Sequence, residues 1–106
     1  MIGKNPLSYY LGVGDVFKAI ADPTRRAILD ELTERNEQTL FELCSRLVAK
    51  HRVPSSRQAV SQHIDVLVAA GLVETRRDGR HTFHHVDPRP LEQILDRWLP
   101  RRTEDQ

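Results

Sequence analysis

The chain has 106 residues, 39% of them hydrophobic and 29% charged, with a formal net charge of +1. That length fits one domain with a modest core, and the composition fits a folded soluble protein rather than a disordered one. No apolar run nears the roughly 20 residues of a membrane span, MIGKNPLSYYLGVGD lacks the apolar stretch of a secretory signal, and the single cysteine, Cys44, rules out an internal disulfide, so a cytoplasmic protein with no membrane partner is expected.

Residues 1–13 read as an N-terminal extension in which Tyr9, Tyr10, Leu11 and Val13 are free to pack on something, residues 14–99 as the domain, and residues 100–106 as a polar tail. A first helix is expected over about 14–21, with Val16, Phe17 and Ile20 on its apolar side. Asp22-Pro23 marks a fresh start, because Asp caps a helix and Pro is tolerated at its first position. The second helix then runs to about Glu34 with Ala27, Ile28, Leu29 and Leu32 inward. Thr39-Leu40-Phe41-Glu42 has the form of a capping box. It opens a third helix to about Lys50, with Leu40, Leu43, Cys44, Leu47 and Val48 as the apolar face.

HRVP forms a turn, since the residue before Pro54 disfavours helix. Ser55 to Gln58 repeats the capping pattern as S-x-x-Q, and a fourth helix extends from about Ser56 to Ala70, where Gly71 stops it. Val60, Ile64 and Leu67 give this helix its core face, with Ala59, Val66 and Ala70 beside them. Its opposite side carries Gln58, Ser61, Gln62 and Asp65. A solvated face is normally rich in Lys and Glu. Amides and hydroxyls, which both donate and accept, suit the reading of base edges better.

Beyond Gly71 the period changes to extended. LVETRR and RHTFHHV flank Asp78-Gly79, the two-residue signature of a type I′ hairpin turn. That turn would set Arg77 against Arg80 and Arg76 against His81, like charges whose opposition costs a few tenths of a kcal/mol and which a phosphate would relieve. The plainer account is that these charges guard an exposed ribbon against edge pairing. After Pro88 and Pro90 a last helix carries Leu91, Ile94, Leu95 and Trp98 at i, i+3, i+4 and i+7.

The near-neutral total conceals a polarised chain. Residues 15–47 hold seven acids and five bases, whereas residues 50–85 hold six bases, three acids and all five histidines, His51, His63, His81, His84 and His85. A basic half is a footprint expected of nucleic-acid binding.

The element order is that of a mainly α fold with a small β-hairpin: a winged helix-turn-helix of five helices and a two-stranded antiparallel wing. ADPTRRAILDEL (21–32), AVSQHIDVLVAAGLV (59–73) and RRDGRHTFHHV (76–86) resemble the ArsR-type family of small dimeric bacterial transcription regulators, over about residues 14–99. The resemblance implies a homodimer joined through its first and last helices, with each fourth helix in a major groove of double-stranded DNA. The expected interface residues are Tyr10, Phe17, Leu91, Ile94, Leu95 and Trp98, and a terminal apolar stripe with little chain left to cover it supports pairing independently. Packing on the first helix of the same chain is the alternative. Contacts to DNA are implied at Arg57, Gln58, Ser61 and Gln62, where Arg pairs with guanine and Gln with adenine, each pair worth about 1–3 kcal/mol of discrimination. Ser61 is expected on a phosphate, His63 in the packing, and Arg76, Arg77 and Arg80 on phosphates or in the minor groove.

Many members of the family sense metals through E-L-C-x-C-D-L on the third helix. Here the run is Glu42-Leu43-Cys44-Ser45-Arg46-Leu47, so Arg46 stands where the second cysteine would be and Cys44 is expected to be packed. A second metal site of the family needs His on the last helix, and LEQILDRWL has none. His84 and His85 should point to opposite faces of a strand, while His81 and His85 share a face about 13 Å apart, too far for zinc. No metal or cofactor is therefore expected and no effector is named; the histidines are expected to assist DNA contact more strongly as pH falls toward about 6. No G-x-S-x-G, H-E-x-x-H or Gly-rich phosphate loop occurs, so the chain does not read as an enzyme. The competing class is a winged-helix protein-interaction module without specific DNA readout, in which Tyr9, Tyr10 and Trp98 serve a partner.

Overall fold

The structure, a computed structural model, describes residues 16–99; the N-terminal extension with Tyr10 and the tail from residue 100 lie outside the described residues. Residues 16–20 are helical (α1) and are followed by α2 (Pro23–Glu34), α3 (Leu40–His51), α4 (Arg57–Ala69), the antiparallel pair β1 (Val73–Asp78) and β2 (His81–Val86), and α5 (Arg89–Trp98).

Local chemistry sets the boundaries. The Asp22 carboxylate accepts from the Arg25 backbone N–H at 3.1 Å, with Pro23 in the first turn of α2. Arg25 then reaches back to the end of α1, donating from Nε to the Ala19 carbonyl at 2.8 Å and from Nη2 to that of Lys18 at 2.9 Å, and Arg26 Nη1 donates to the Ile20 carbonyl at 2.9 Å. Three carbonyls at the end of α1 thereby gain side-chain donors. The capping box of α3 is complete: Glu42 N–H donates to Thr39 Oγ1 at 3.2 Å and Thr39 N–H to Glu42 Oε1 at 2.8 Å. At α4 the cap is Ser56, accepting from Ala59 N–H at 3.1 Å, rather than the Ser55 of the S-x-x-Q reading. Ser55 is still in the turn, its N–H bonded to the Val53 carbonyl at 3.0 Å.

The C-terminus of α4 closes on a Schellman motif. Leu72 N–H donates to the Leu67 carbonyl and Gly71 N–H to that of Val68, both at 2.9 Å, with Gly71 in the left-handed region at φ 79. The chain therefore turns sharply into β1.

The core is built from Val16 and Ala19 of α1, Ala27, Ile28 and Leu32 of α2, Leu43 and Leu47 of α3, Val60, Ile64 and Leu67 of α4, then Ala70, Leu72 and Val73. Leu29, Leu40 and Cys44 pack against it half-buried. Two expected members are not inside: Val48 is 53% and Val66 39% exposed. Val48 follows buried Leu47 and Val66 precedes buried Leu67, so each lies beyond the edge of the apolar arc that its helix turns inward.

The hairpin departs from the expected register. Asp78 pairs with His81, Arg77 with Thr82 and Arg76 with Phe83, so the two central turn residues are Gly79 and Arg80. Gly79 has φ 63 and Arg80 does not have positive φ, the sign pattern of a type II′ turn with Gly first. This register removes both like-charge oppositions and gains an Asp78–His81 pair and an Arg76 guanidinium 5.0 Å from the Phe83 ring centre. The turn between α2 and α3 adds to the sheet: Gln38 and His84 exchange backbone hydrogen bonds of 3.1 and 2.8 Å, and Asn36 Oδ1 accepts from Val86 N–H at 3.0 Å. The wing is thus fastened along one edge.

Candidate nucleic-acid interface

The outer side of α4 is open. Arg57, Gln58, Gln62 and Asp65 are exposed and Ser61 half-buried, and among the described residues the side chains of Gln58, Ser61 and Gln62 make no hydrogen bond. Val60, Ile64 and Leu67 hold the helix down from the other side. His63 lies between the two faces, half-buried, with Nδ1 3.1 Å from Arg25 Nη1 and 3.9 Å from Asp22. It packs rather than projects, as expected. Burial would raise the Asp22 carboxyl, yet the Arg25 backbone N–H and the charges of His63 and Arg25 outweigh it and hold the group below its ordinary value.

The three wing arginines part company. Arg76 donates to Glu37 Oε1 from Nε at 3.2 Å and Nη2 at 2.9 Å, and lies 3.6 Å from Asp78. The Glu37 hydrogen bond and charge raise its pKa. Arg77 and Arg80 are exposed and make no ion pair among the described residues.

The histidines do not act as one basic set. His84 is 7% exposed with Nδ1 2.8 Å from the Gln38 carbonyl. His85 stands between carboxylates, Nε2 3.0 Å from Glu74 and Nδ1 3.0 Å from Glu37; the second contact is close but not aligned as a hydrogen bond. Both are committed to the fold, which corrects the expectation that they assist DNA contact; His81 alone of the wing histidines is exposed. The alternation behind this was legible, but not the α2–α3 turn that claims one face.

A buried polar cluster went unseen in the sequence. Glu31 is fully buried, its carboxylate taking hydrogen bonds from Arg46 Nε, from Gln38 Nε2 at 2.8 Å and from His51 Nε2 at 3.1 Å. Burial alone would raise the carboxyl; these donors outweigh it and hold it below the usual range. The clue was spacing, since Ile28, Glu31 and Leu32 stand at i, i+3, i+4 on one face. Arg46, in the place of the family's second metal cysteine, therefore compensates an interior charge. Glu31, Glu34 and His51 bring ligand atoms within 4.8 Å of one another. Arg46 already binds Glu31 and Lys50 binds Glu34 at 2.6 Å, so two of the three carry cations of the protein's own. Cys44 is half-buried, and burial pushes its thiol up, partly offset by the charge of Arg57.

The last helix, α5, buries no residue completely. Leu91 and Ile94 pack on the core, whereas Leu95, Trp98 and Leu99 are 54%, 62% and 54% exposed and Phe17 of α1 is 43% exposed. The Phe17 and Trp98 rings are 6.0 Å apart, so the two helices meet within the chain and still leave an apolar patch outward. No helix among the described residues is long and apolar enough to cross a membrane.

Residues 20–76 match the family model described as a helix-turn-helix domain. The chain is 46% identical over 84 residues to the HTH-type transcriptional regulator YuzN of Bacillus subtilis (strain 168), covering 79% of this chain and 91% of that one. It is 30% identical to the transcriptional repressor SdpR of the same organism, over 82% of this chain and 88% of that one. Among solved structures it resembles an ArsR-like transcriptional regulator from Rhodococcus sp. RHA1, with a TM-score of 0.66, 34% identity, and coverage of 85% and 81% of the two chains.

Proposed function

The chain belongs to the ArsR-type family of winged helix-turn-helix transcriptional regulators, and from that membership we propose that it acts in the cytoplasm as a homodimeric repressor binding an inverted-repeat operator. The observation that carries the proposal is the unpartnered amide-and-hydroxyl ridge of α4, Gln58, Ser61 and Gln62, on a helix whose other face is locked into the core. In a major groove Gln58 and Gln62 offer paired donor and acceptor groups to adenine, and Ser61 reaches a phosphate. Arg77 and Arg80 carry the uncompensated charge of the wing to the backbone. Arg76 contributes less, because Glu37 and Asp78 already occupy it.

The patch of Phe17, Leu95 and Trp98, continuous with Leu91 and Ile94, is the surface on which two copies pair. A two-fold pair presents the ridge twice, at half-sites roughly 34–36 Å apart. The SdpR relative is a named repressor, which supports repression as the sense of regulation. Gene control here would not run through a third-helix thiolate pair, because Arg46 fills that place and is bound to Glu31.

Selection of bound duplexes from a random pool with purified protein tests the proposal. Enrichment of an inverted repeat with half-sites about one helical turn apart is expected. Flat enrichment would favour the second reading, a protein-docking winged helix, for which the exposed Phe41 and Val48 on α3 are the specific surface.

A further inference from the structure

We propose that Arg57 grips a DNA backbone phosphate jointly with Arg80, and so positions the protein on its operator instead of reading a base; this deepens the operator-binding reading and rests on it. A cleft of about 780 Å³ opens between the first turn of α3, the first residue of α4 and the start of β2, lined by Thr39, Phe41, Arg57, Arg80, His81 and Phe83 among others. Two guanidiniums thus line one cleft from two different elements, and neither has a counter-charge among the described residues. The acid in the lining is Glu42, whose carboxylate is turned to the Thr39 N–H at 2.8 Å and lies 3.9 Å from Arg35.

The placement of Arg57 is the second observation. The residue lines the cleft beside Thr39, Leu40, Phe41 and Glu42 at the start of α3. Neither Gln58 nor Gln62 lines the cleft. Two like charges at one cleft repel, and a single phosphodiester between them turns that repulsion into two charge-assisted hydrogen bonds. The occupant is the duplex itself: Arg57 adjoins Gln58 in sequence, so a duplex seated on the ridge brings its backbone to the mouth of the cleft. Phosphate contacts set register without carrying sequence information, which separates Arg57 from its neighbours in kind.

The test is equilibrium binding of wild type, Arg57→Ala, Arg57→Lys and Arg80→Ala to a selected operator and to a scrambled duplex, across a salt series. Arg57→Ala and Arg80→Ala are each expected to weaken both duplexes by the same factor and to reduce the salt slope by about one unit. Arg57→Lys should retain affinity within a few-fold, because a point charge serves a phosphate but not a guanine edge. A neutral methylphosphonate scanned along the operator should weaken wild type at one position that no longer matters to Arg57→Ala. If wild type discriminates but Arg57→Ala or Arg57→Lys lowers the operator-to-scrambled ratio, Arg57 reads a base and this assignment falls while the operator reading stands. Wild type that fails to distinguish the duplexes removes both. Inorganic phosphate added without DNA at fixed ionic strength should leave the Arg57 and Arg80 NMR signals unmoved; saturable shifts there would give the cleft to a free anion instead.

Discussion

Glu31 shows how one interior charge organises a corner of the molecule. A buried carboxylate is tolerable only when donors surround it, and Arg46, Gln38 and His51 come from the two segments that must meet α2 for the domain to form. Replacing it with Gln should lower unfolding stability by about 3 kcal/mol, the low end for breaking a buried pair, because Arg46 keeps part of its surface in water. The urea midpoint of the variant checks this. The same residue gives a signed pH dependence. Glu31 is held below its ordinary 4.5, and Asp87, hydrogen-bonded by Arg89, is lowered from 3.8 to about 2. Groups whose folded values are depressed contribute stability above the unfolded values and lose it as pH falls through the folded ones. The urea midpoint should therefore hold steady above about pH 5 and decline toward pH 2, with a shallower decline in Glu31→Gln. An equal slope in both proteins would place the acid sensitivity elsewhere. None of this was legible in an apolar reading of α2, because the periodicity that marks the inward face was counted only for hydrocarbon side chains.

At the scale of elements, the helix starts were legible because capping is local chemistry. Asp22-Pro23 and Thr39 to Glu42 each act within one turn, as their residue types require. Ser55 and Ser56 show the resolution of such reasoning: two adjacent serines satisfy the same rule, and the Val53 turn decides between them. The hairpin failed differently. Asp78-Gly79 and Gly79-Arg80 are both acceptable turn centres, and cross-strand pairing, which weighs Arg76 on Phe83 against Arg76 on His81, selects the second. The two glycines with positive φ among the described residues should then respond unequally. At Gly79, φ 63, an added methyl meets nothing within 4 Å, so Gly79→Ala carries only the backbone strain of a positive φ, about 1 kcal/mol. At Gly71, φ 79, the methyl also comes 3.4 Å from Pro90 Cγ, and the change blocks the Schellman close of α4, for about 2 kcal/mol. Thermal unfolding of both variants should rank Gly71→Ala as the less stable; the reverse order would mean that the α4–β1 corner is looser than its hydrogen bonds imply.

For the whole molecule, the two exposed surfaces divide the labour proposed here. The Phe17 and Trp98 patch is apolar and lies on α1 and α5, while the α4 ridge is polar and lies on the helix that packs its other side against the core. Trp98→Ala should weaken pairing roughly 30-fold, as expected for an aromatic anchor worth about 2 kcal/mol, with a parallel loss of operator affinity at low protein concentration. Sedimentation across a dilution series reads the first effect, and an unchanged assembly would move the dimer surface elsewhere. The patch was legible as an i, i+3, i+4, i+7 stripe on the last helix, whereas its contact with Phe17 needed the fold. The ridge was legible for the opposite reason, being a place where solubility would have chosen Lys and Glu and the chain has amides. Its role is tested most directly by the ratio of affinities for a selected operator and a scrambled duplex, measured for wild type, Gln62→Ala and Arg77→Ala. Gln62→Ala should lower that ratio by about tenfold, consistent with loss of one base pairing, while Arg77→Ala should weaken both duplexes alike and leave the ratio unchanged. Equal behaviour of the two variants would contradict the assignment of α4 as the reading element.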